Sequence, residues 1–357
     1  MSDFNTSTVR EVEPGIFVTE LYNKTAENGV QQIHIYIIPG KAGVNHGRSL
    51  MIDTGFRTTD CLVTLEQALK DLHISVTDLD IFLTHRHHDH SGLASILTKE
   101  GARVYMNRQE ERHPYDCIAY KLTVESREAQ KHVLHSVGVD PDHTPEIWST
   151  FMRLSERVEE EGESVLATLG FPYTDVKAGD LFCYGDYALK AVSLKGHTYG
   201  QMGLIDEAHR LFFPADQLIE GISPIVATTY PDEALLDGFF QSLAWIKHHC
   251  KESEGWKLYP AHGNVITRIC EDVDLTVYSY LNKSSIIKEI LKKADHPMTV
   301  REVAEAAYHI QKLPGDDGAF FQYKMMVTKT FSLLEYLMGL DFVTRSDVNG
   351  TFYWKIK

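Results

Sequence analysis

The sequence predicts a mixed α/β (α+β) protein, and three observations carry that expectation. Short runs rich in β-branched and aromatic residues recur along residues 15–260, with amphipathic helical patterns between them. The chain has 357 residues, 43% hydrophobic and 24% charged, enough to bury a large core and leave a second, smaller unit. The residues that bear chemistry collect where predicted strands end, the place where α/β layers gather ligands.

GIFVTEL (15–21) and VQQIHIYII (30–38) read as strands, with Asn28-Gly29 between them as a hairpin signal. SLMID (49–53) is a short apolar strand ending in Asp53-Thr54-Gly55. Leu62, Leu65, Leu69 and Leu72 recur at three and four residues, which predicts an amphipathic helix over 59–72. DIFLT (80–84) is a fully apolar strand that runs into THRHHDHSG (84–92). Leu93, Ile96 and Leu97 then continue at helical spacing, with Ser91 placed as N-cap. ARVYM (102–106) gives the next strand.

Residues 109–175 change character: they are charged and helical in pattern, with Ile147, Phe151, Leu154 and Val158 as one apolar stripe. They read as a helical insertion that either covers a core face or roofs a substrate cleft. Strands resume at YALKAVSL (187–194), HRLFFP (209–214) and KLYP (257–260), with a helix at 233–250 before the last. Each of the three ends near a ligand-type residue: His197, Asp216 and His262.

From residue 273 the pattern shifts again, which divides the chain into 1–272 and 273–357. A helix over 274–294 is followed by Pro297, then by Thr299-Val-Arg-Glu302, a capping box that opens a second helix. A third helix spans 319–340, and residues 342–357 close as a hairpin around Asn349-Gly350. Three helices and a terminal hairpin resemble a winged helix. Residues 273–357 carry 11 Lys and Arg against 10 Asp and Glu, so the unit is nearly neutral. Homodimerisation or covering of a substrate fits that balance better than DNA binding.

The whole chain has a net charge of −15, which repels polyanions and steers neither nucleic acid nor acidic membranes toward it. Cys61, Cys117, Cys183, Cys250 and Cys270 are odd in number and form no CxxC pair, against a disulfide framework or a thiolate zinc site. The first residues lack the pattern of a secretory signal, and no run approaches the roughly 20 apolar residues of a membrane span. A cytoplasmic protein with no membrane partner is the expectation. No GxSxG, HExxH, P-loop or GxGxxG template occurs.

THRHHDHSG packs four histidines and one aspartate into nine positions. Imidazoles and carboxylates are what zinc, iron or manganese accept where no thiolate is offered. His85 and His87, two apart in an extended loop, reach one ion from the same side. Asp89 and His90 sit where the chain turns into a helix and face a second ion beside the first. Taken singly, His197 or His262 reads as structural. The weight lies in the conjunction of HxHxDH with GHT (196–198), PAD (214–216) and PAHG (260–263), in that order. His88, His132, His135, His248 and His249 read as solvated.

On these motifs the chain resembles the metallo-β-lactamase superfamily of metallohydrolases, over residues 10–270 apart from the insertion. Asp53 in MIDTG matches the first motif, whose carboxylate orients the site. His85, His87, Asp89 and His90 match the second, His197 the third, Asp216 the fourth and His262 the fifth. The resemblance implies a four-layer αββα sandwich. It also implies that His85, His87 and His197 hold one ion, Asp89, His90 and His262 the other, and that Asp216 bridges them. Two departures stand out: Tyr199 follows Gly196-His-Thr where many relatives have proline, and the insertion lengthens the stretch between His87 and His197.

The cofactors so implied are two divalent ions, zinc first, with iron or manganese as alternatives. Two such ions about 3.5 to 4 Å apart share a water and lower its pKa toward neutrality. A bridging hydroxide then needs no protein nucleophile; Asp89 orients it and Asp53 holds a ligand in place. The full motif set looks most like the glyoxalase II-like branch, so the expected reaction is hydrolysis of a thioester, ester or lactone carbonyl, as in a hydroxyacylglutathione hydrolase-like enzyme. A phosphodiesterase or ribonuclease of the same fold and an iron-dependent sulfur-oxidising enzyme are the alternatives. Tyr199 and Tyr230 are candidate donors to an oxyanion, with packing as their bland role. The expected partner is a small molecule, and the charge of the ions allows it to be anionic.

Overall fold

The computed structural model describes residues 8–23, 31–111, 124–153, 170–310 and 317–357. A seven-stranded sheet is formed by β1 (Arg10–Glu13), β2 (Ile16–Tyr22), β3 (Gln32–Ile38), β4 (Ser49–Ile52), β5 (Leu79–Phe82), β6 (Arg103–Met106) and β7 (Thr174–Asp175), in that order across the sheet. Neighbours are antiparallel from β1 to β4 and parallel from β4 to β7. A five-stranded sheet is formed by β8 (Leu181–Tyr184), β9 (Tyr187–Ser193), β10 (Met202–Asp206), β11 (Leu211–Phe213) and β12 (Lys257–Leu258).

The period-two pattern of β3 explains how the first sheet builds two cores. Ile33, Ile35 and Ile37 pack with α1 (Thr59–Asp71) and α3 (Ala94–Lys99), while Tyr36 and Ile38 face the second sheet. Between the sheets Phe82 meets Phe182 edge to face at 5.2 Å, and Tyr36 meets Phe213 at 5.0 Å. The outer face of the second sheet is covered by α6 (Leu235–His249) and α7 (Ile269–Lys293). The result is the expected αββα stack.

Four strands of these two sheets, β1, β7, β8 and β10, escape sequence reading, and β10 shows why. Its Gly203 weakens a strand signal, yet a Cβ there would lie 2.8 Å from Leu194, Phe212 and the Phe213 carbonyl. Close packing at the centre of the sheet therefore demands the residue that disguises the strand.

The described part of the insertion is only partly helical. α4 (Val124–Ser136) and α5 (residues 145–153) carry Leu134, Ile147 and Phe151 into the core beside the second sheet, so the described part covers a core face. Its far end is β7, which extends the first sheet. Leu154, Val158 and the Asn28-Gly29 turn lie outside the described residues.

Beyond α7 the order is β13 (Met298–Thr299), α8 (Val300–Tyr308), α9 (Asp317–Gly339), β14 (Val343–Val348) and β15 (Thr351–Ile356), with β15 central in a three-stranded sheet. Asn349 (φ 54°) and Gly350 (φ 86°) take the two positive φ values that a tight hairpin turn needs. Thr299 and Glu302 form the expected capping box at α8. Thr299→Ala removes the hydroxyl that accepts from Glu302 N and leaves the Glu302 carboxylate on the residue 299 backbone nitrogen, and a loss of about 1 kcal/mol is expected in urea unfolding. An unmoved midpoint would show the cap to be idle. Among the described residues no helix is long and apolar enough to cross a membrane.

Candidate metal centre

The His-rich stretch leaves β5 extended and turns at once into α2 (His88–Ser91). Helix therefore begins at His88, earlier than expected. Ser91 is its last residue rather than an N-cap, and its hydroxyl donates to the carbonyls of Arg86 and His87. Gly92 allows the segment after β4 to press against this turn: a Cβ there would sit 2.4 Å from the Arg57 nitrogen and 2.6 Å from the Gly55 carbonyl. Thr54 seals the contact, its backbone nitrogen and hydroxyl both donating to the His90 carbonyl at 2.7 and 2.8 Å. Asp53, at φ 63°, is thereby aimed at His90.

All seven expected ligands meet at one end of the paired sheets, in two sets. In the first, His87 Nδ1 lies 2.9 Å from His85 Nε2 and 3.0 Å from His197 Nε2, and His197 Nε2 lies 3.4 Å from Asp216 Oδ2. In the second, His262 Nε2 is 3.4 Å from Asp89 Oδ2 and 3.4 Å from Asp216 Oδ1, and His90 Nε2 is 3.5 Å from Asp216 Oδ1. One oxygen of Asp216 faces each set. Four donors around an ion at 2.0–2.1 Å stand roughly 3.3 Å apart, so both sets have the spacing of a tetrahedral shell. His90 Nε2, His262 Nε2 and Asp216 Oδ1 are also buried without a hydrogen-bond partner. Such orphaned atoms are costly unless a cation satisfies them, so the donors fit the ions.

The far side of four imidazoles, those of His85, His90, His197 and His262, fixes which nitrogen carries the proton. His197 Nδ1 donates to the Ile225 carbonyl at 2.8 Å and His262 Nδ1 to the Gln32 carbonyl at 2.6 Å, which leaves each Nε2 with a lone pair. His90 Nδ1 donates to Asp53 Oδ2 at 2.8 Å. Thr84 donates its hydroxyl to Asp53 and accepts from His85 Nδ1 at 3.1 Å. A single carboxylate thus orients one imidazole in each set.

Charge differs between the sets. Burial, then the neighbouring imidazoles, hold His85 well below the ordinary histidine range, and burial lowers His197. Burial works the same way on His90, but Asp216, Asp53 and Asp89 overcome it and raise His90 well above that range. Asp89 is held well below the carboxylate range by His90 and His262 against the opposing effect of burial. A cation arriving at the second set would displace a proton from His90, whereas His85 and His197 already offer uncharged nitrogens.

Glu110 was not foreseen. It lies in a short turn at Arg108–Glu111, 4% exposed, and accepts from Arg86 N at 2.8 Å, Thr198 Oγ1 at 2.6 Å and Gly200 N at 2.7 Å. It ties the loop carrying His85 and His87 to the loop carrying His197. Nothing in RQEE (108–111) distinguishes it from its exposed neighbours.

Tyr199 is buried in the core cluster beside the second sheet, and Tyr230 is half-buried beyond Ile225. His88 is exposed and rests its ring against Phe56, and His132 and His248 are exposed. His135 and His249 are not simply solvated: His135 Nε2 meets the Asn349 carbonyl at 2.9 Å, and His249 pairs with Glu207 and stacks on Trp245.

No family model matches the sequence, and no curated protein matches it. Two solved structures share its architecture over nearly their whole length. A metallo-beta-lactamase family protein from Thermus thermophilus superposes with a TM-score of 0.73 at 19% identity, covering 97% of this chain and 100% of that one. A beta-lactamase domain protein from Burkholderia ambifaria gives a TM-score of 0.75 at 16% identity, covering 98% of this chain and 94% of that one. At such identities the likeness establishes the fold, and the chain has the metallo-β-lactamase fold.

Proposed function

We propose that this chain is a metal-dependent hydrolase that holds two divalent ions, zinc by first choice. His85, His87 and His197 hold one ion, Asp89, His90 and His262 the other, and Asp216 gives an oxygen to each. The observation that carries this reading is the set of buried, partnerless atoms on His90, His262 and Asp216 that face one another across 3.4 to 3.5 Å. When bound, such a pair of ions supplies Lewis-acid activation of water and polarises the bond under attack. Asp89 accepts a hydrogen bond from the attacking water, and Asp53 fixes the tautomers that keep ligand lone pairs inward. Tyr199 and Tyr230 remain the candidate oxyanion donors.

The substrate class we assign is a small thioester, ester or lactone, as in the glyoxalase II-like branch. The acidic chain and the nearly neutral C-terminal stretch support this over a phosphodiester of nucleic acid. We further propose that residues 273–357 form a winged-helix-like unit distinct from a catalytic unit of 1–272, and that the protein works in the cytoplasm as a homodimer.

Metal analysis of protein purified without added metal, joined to a parallel hydrolysis screen, tests the assignment. Two zinc per chain and thioester or lactone turnover, abolished in Asp89→Ala, are the expected results. Turnover of bis(p-nitrophenyl) phosphate alone, lost in the same variant, would replace the carbonyl reading with the phosphodiesterase one. One iron per chain with oxygen uptake would overturn hydrolysis altogether.

A further inference from the structure

Residues 223–229 have neither helix nor strand, yet Ile225 within them presents the carbonyl that accepts from His197 Nδ1 at 2.8 Å. Something else must hold that carbonyl in place. The Tyr280 hydroxyl, on α7, donates to the Pro224 carbonyl at 2.5 Å and accepts from the Val226 nitrogen at 2.9 Å. It therefore grips the residues on either side of Ile225. Ser332, on α9, adds a second grip by donating to the Val226 carbonyl at 2.6 Å and accepting from the Thr228 nitrogen at 3.0 Å.

We infer that Tyr280, more than eighty residues along the chain from His197, is a positioning residue for that ligand. The inference rests on the proposed metal centre. Tyr280 is 1% exposed, and burial pushes its phenol up, so the hydroxyl keeps the proton it donates. Its two hydrogen bonds set the direction of the Ile225 carbonyl, the carbonyl sets the Nδ1–H tautomer and tilt of His197, and Nε2 is left facing His87 at 3.0 Å. No comparable bond joins α7 or α9 to His90 or His262 among the described residues, whose outer nitrogens meet Asp53 and Gln32. The C-terminal helices thus act on one donor set and not on the other.

Tyr280→Phe in the full chain tests this, by zinc and cobalt titration of chelator-stripped protein with the visible cobalt spectrum as second readout. Loss of an outer hydrogen-bond partner lowers metal affinity roughly 10- to 100-fold. With Tyr280 one step further out, about a tenfold loss is expected at the set containing His197, with an altered cobalt band. Affinity at the other set stays unchanged. Tyr308→Phe, which removes a buried hydroxyl that has no hydrogen-bond partner, serves as control and leaves both steps alone. If Tyr280→Phe does not fold, Ser332→Ala is expected to shift the same step. A wild-type chain taking up two ions beside variants whose two binding steps superpose on it overturns the inference and leaves the metal centre standing. A wild-type chain that takes up no ion overturns both.

Discussion

Asp53→Asn is expected to release metal from both donor sets, and from the Asp89, His90 and His262 set most. The asparagine has two ways to sit, and both fail. With its amide nitrogen toward His90 it meets Nδ1 as a donor, so the imidazole must move its proton to Nε2 and lose the lone pair that faces Asp216 at 3.5 Å. With its oxygen toward His90 the amide nitrogen meets the Thr84 backbone N–H, which Asp53 Oδ1 now accepts at 2.8 Å. Either arrangement also disturbs the Thr84 hydroxyl that accepts from His85. Each outer partner is worth roughly 10- to 100-fold in metal affinity, and Asp53 serves one imidazole directly and a second through Thr84. Competition against a chelator measures it. Two ions held as tightly as in wild type would mean that the carboxylate is dispensable.

The seven donors are legible in the sequence because ligand chemistry restricts them to histidine and aspartate at fixed short spacings. Their supporting atoms are not. His197 and His262 are oriented by the carbonyls of Ile225 and Gln32, and a backbone carbonyl leaves no mark on residue identity. Apolar periodicity reveals α1, α6, α7 and α9 and strands β2 to β6 of the first sheet, since burial on one face dictates it. It misses β10, where packing calls for Gly203, and it misplaces the start of α2, where four polar residues form the helix. Local pattern fails where a neighbouring strand or a ligand set determines the residue.

Glu110→Ala is expected to lower stability and metal affinity together. The substitution leaves Arg86 N and Gly200 N as buried donors without their acceptor, at about 1–3 kcal/mol each, and deprives the half-buried Thr198 hydroxyl of its partner. Relief of the buried charge offsets part of this, because burial raises the Glu110 pKa above its ordinary value despite the three donors. The net loss is therefore on the order of 3 kcal/mol in denaturant unfolding of the metal-free protein. The raised pKa also fixes the sign with pH. The carboxyl contributes most below its unfolded value of 4.5 and progressively less as pH rises through the folded value, so the gap between wild type and variant narrows from acid toward neutral pH. Glu110→Gln separates charge from geometry. It removes the buried charge and keeps one acceptor for Thr198 and Gly200, but it turns an amide nitrogen toward the Arg86 N–H. It should recover much of the stability while the loop between His85 and His87 still shifts against His197. Metal affinity of that set then stays low in both variants, and the set built on Asp89, His90 and His262 keeps its ion. Equal loss from both sets in the glutamine variant would show that Glu110 supports the fold at large and not the register between these two loops.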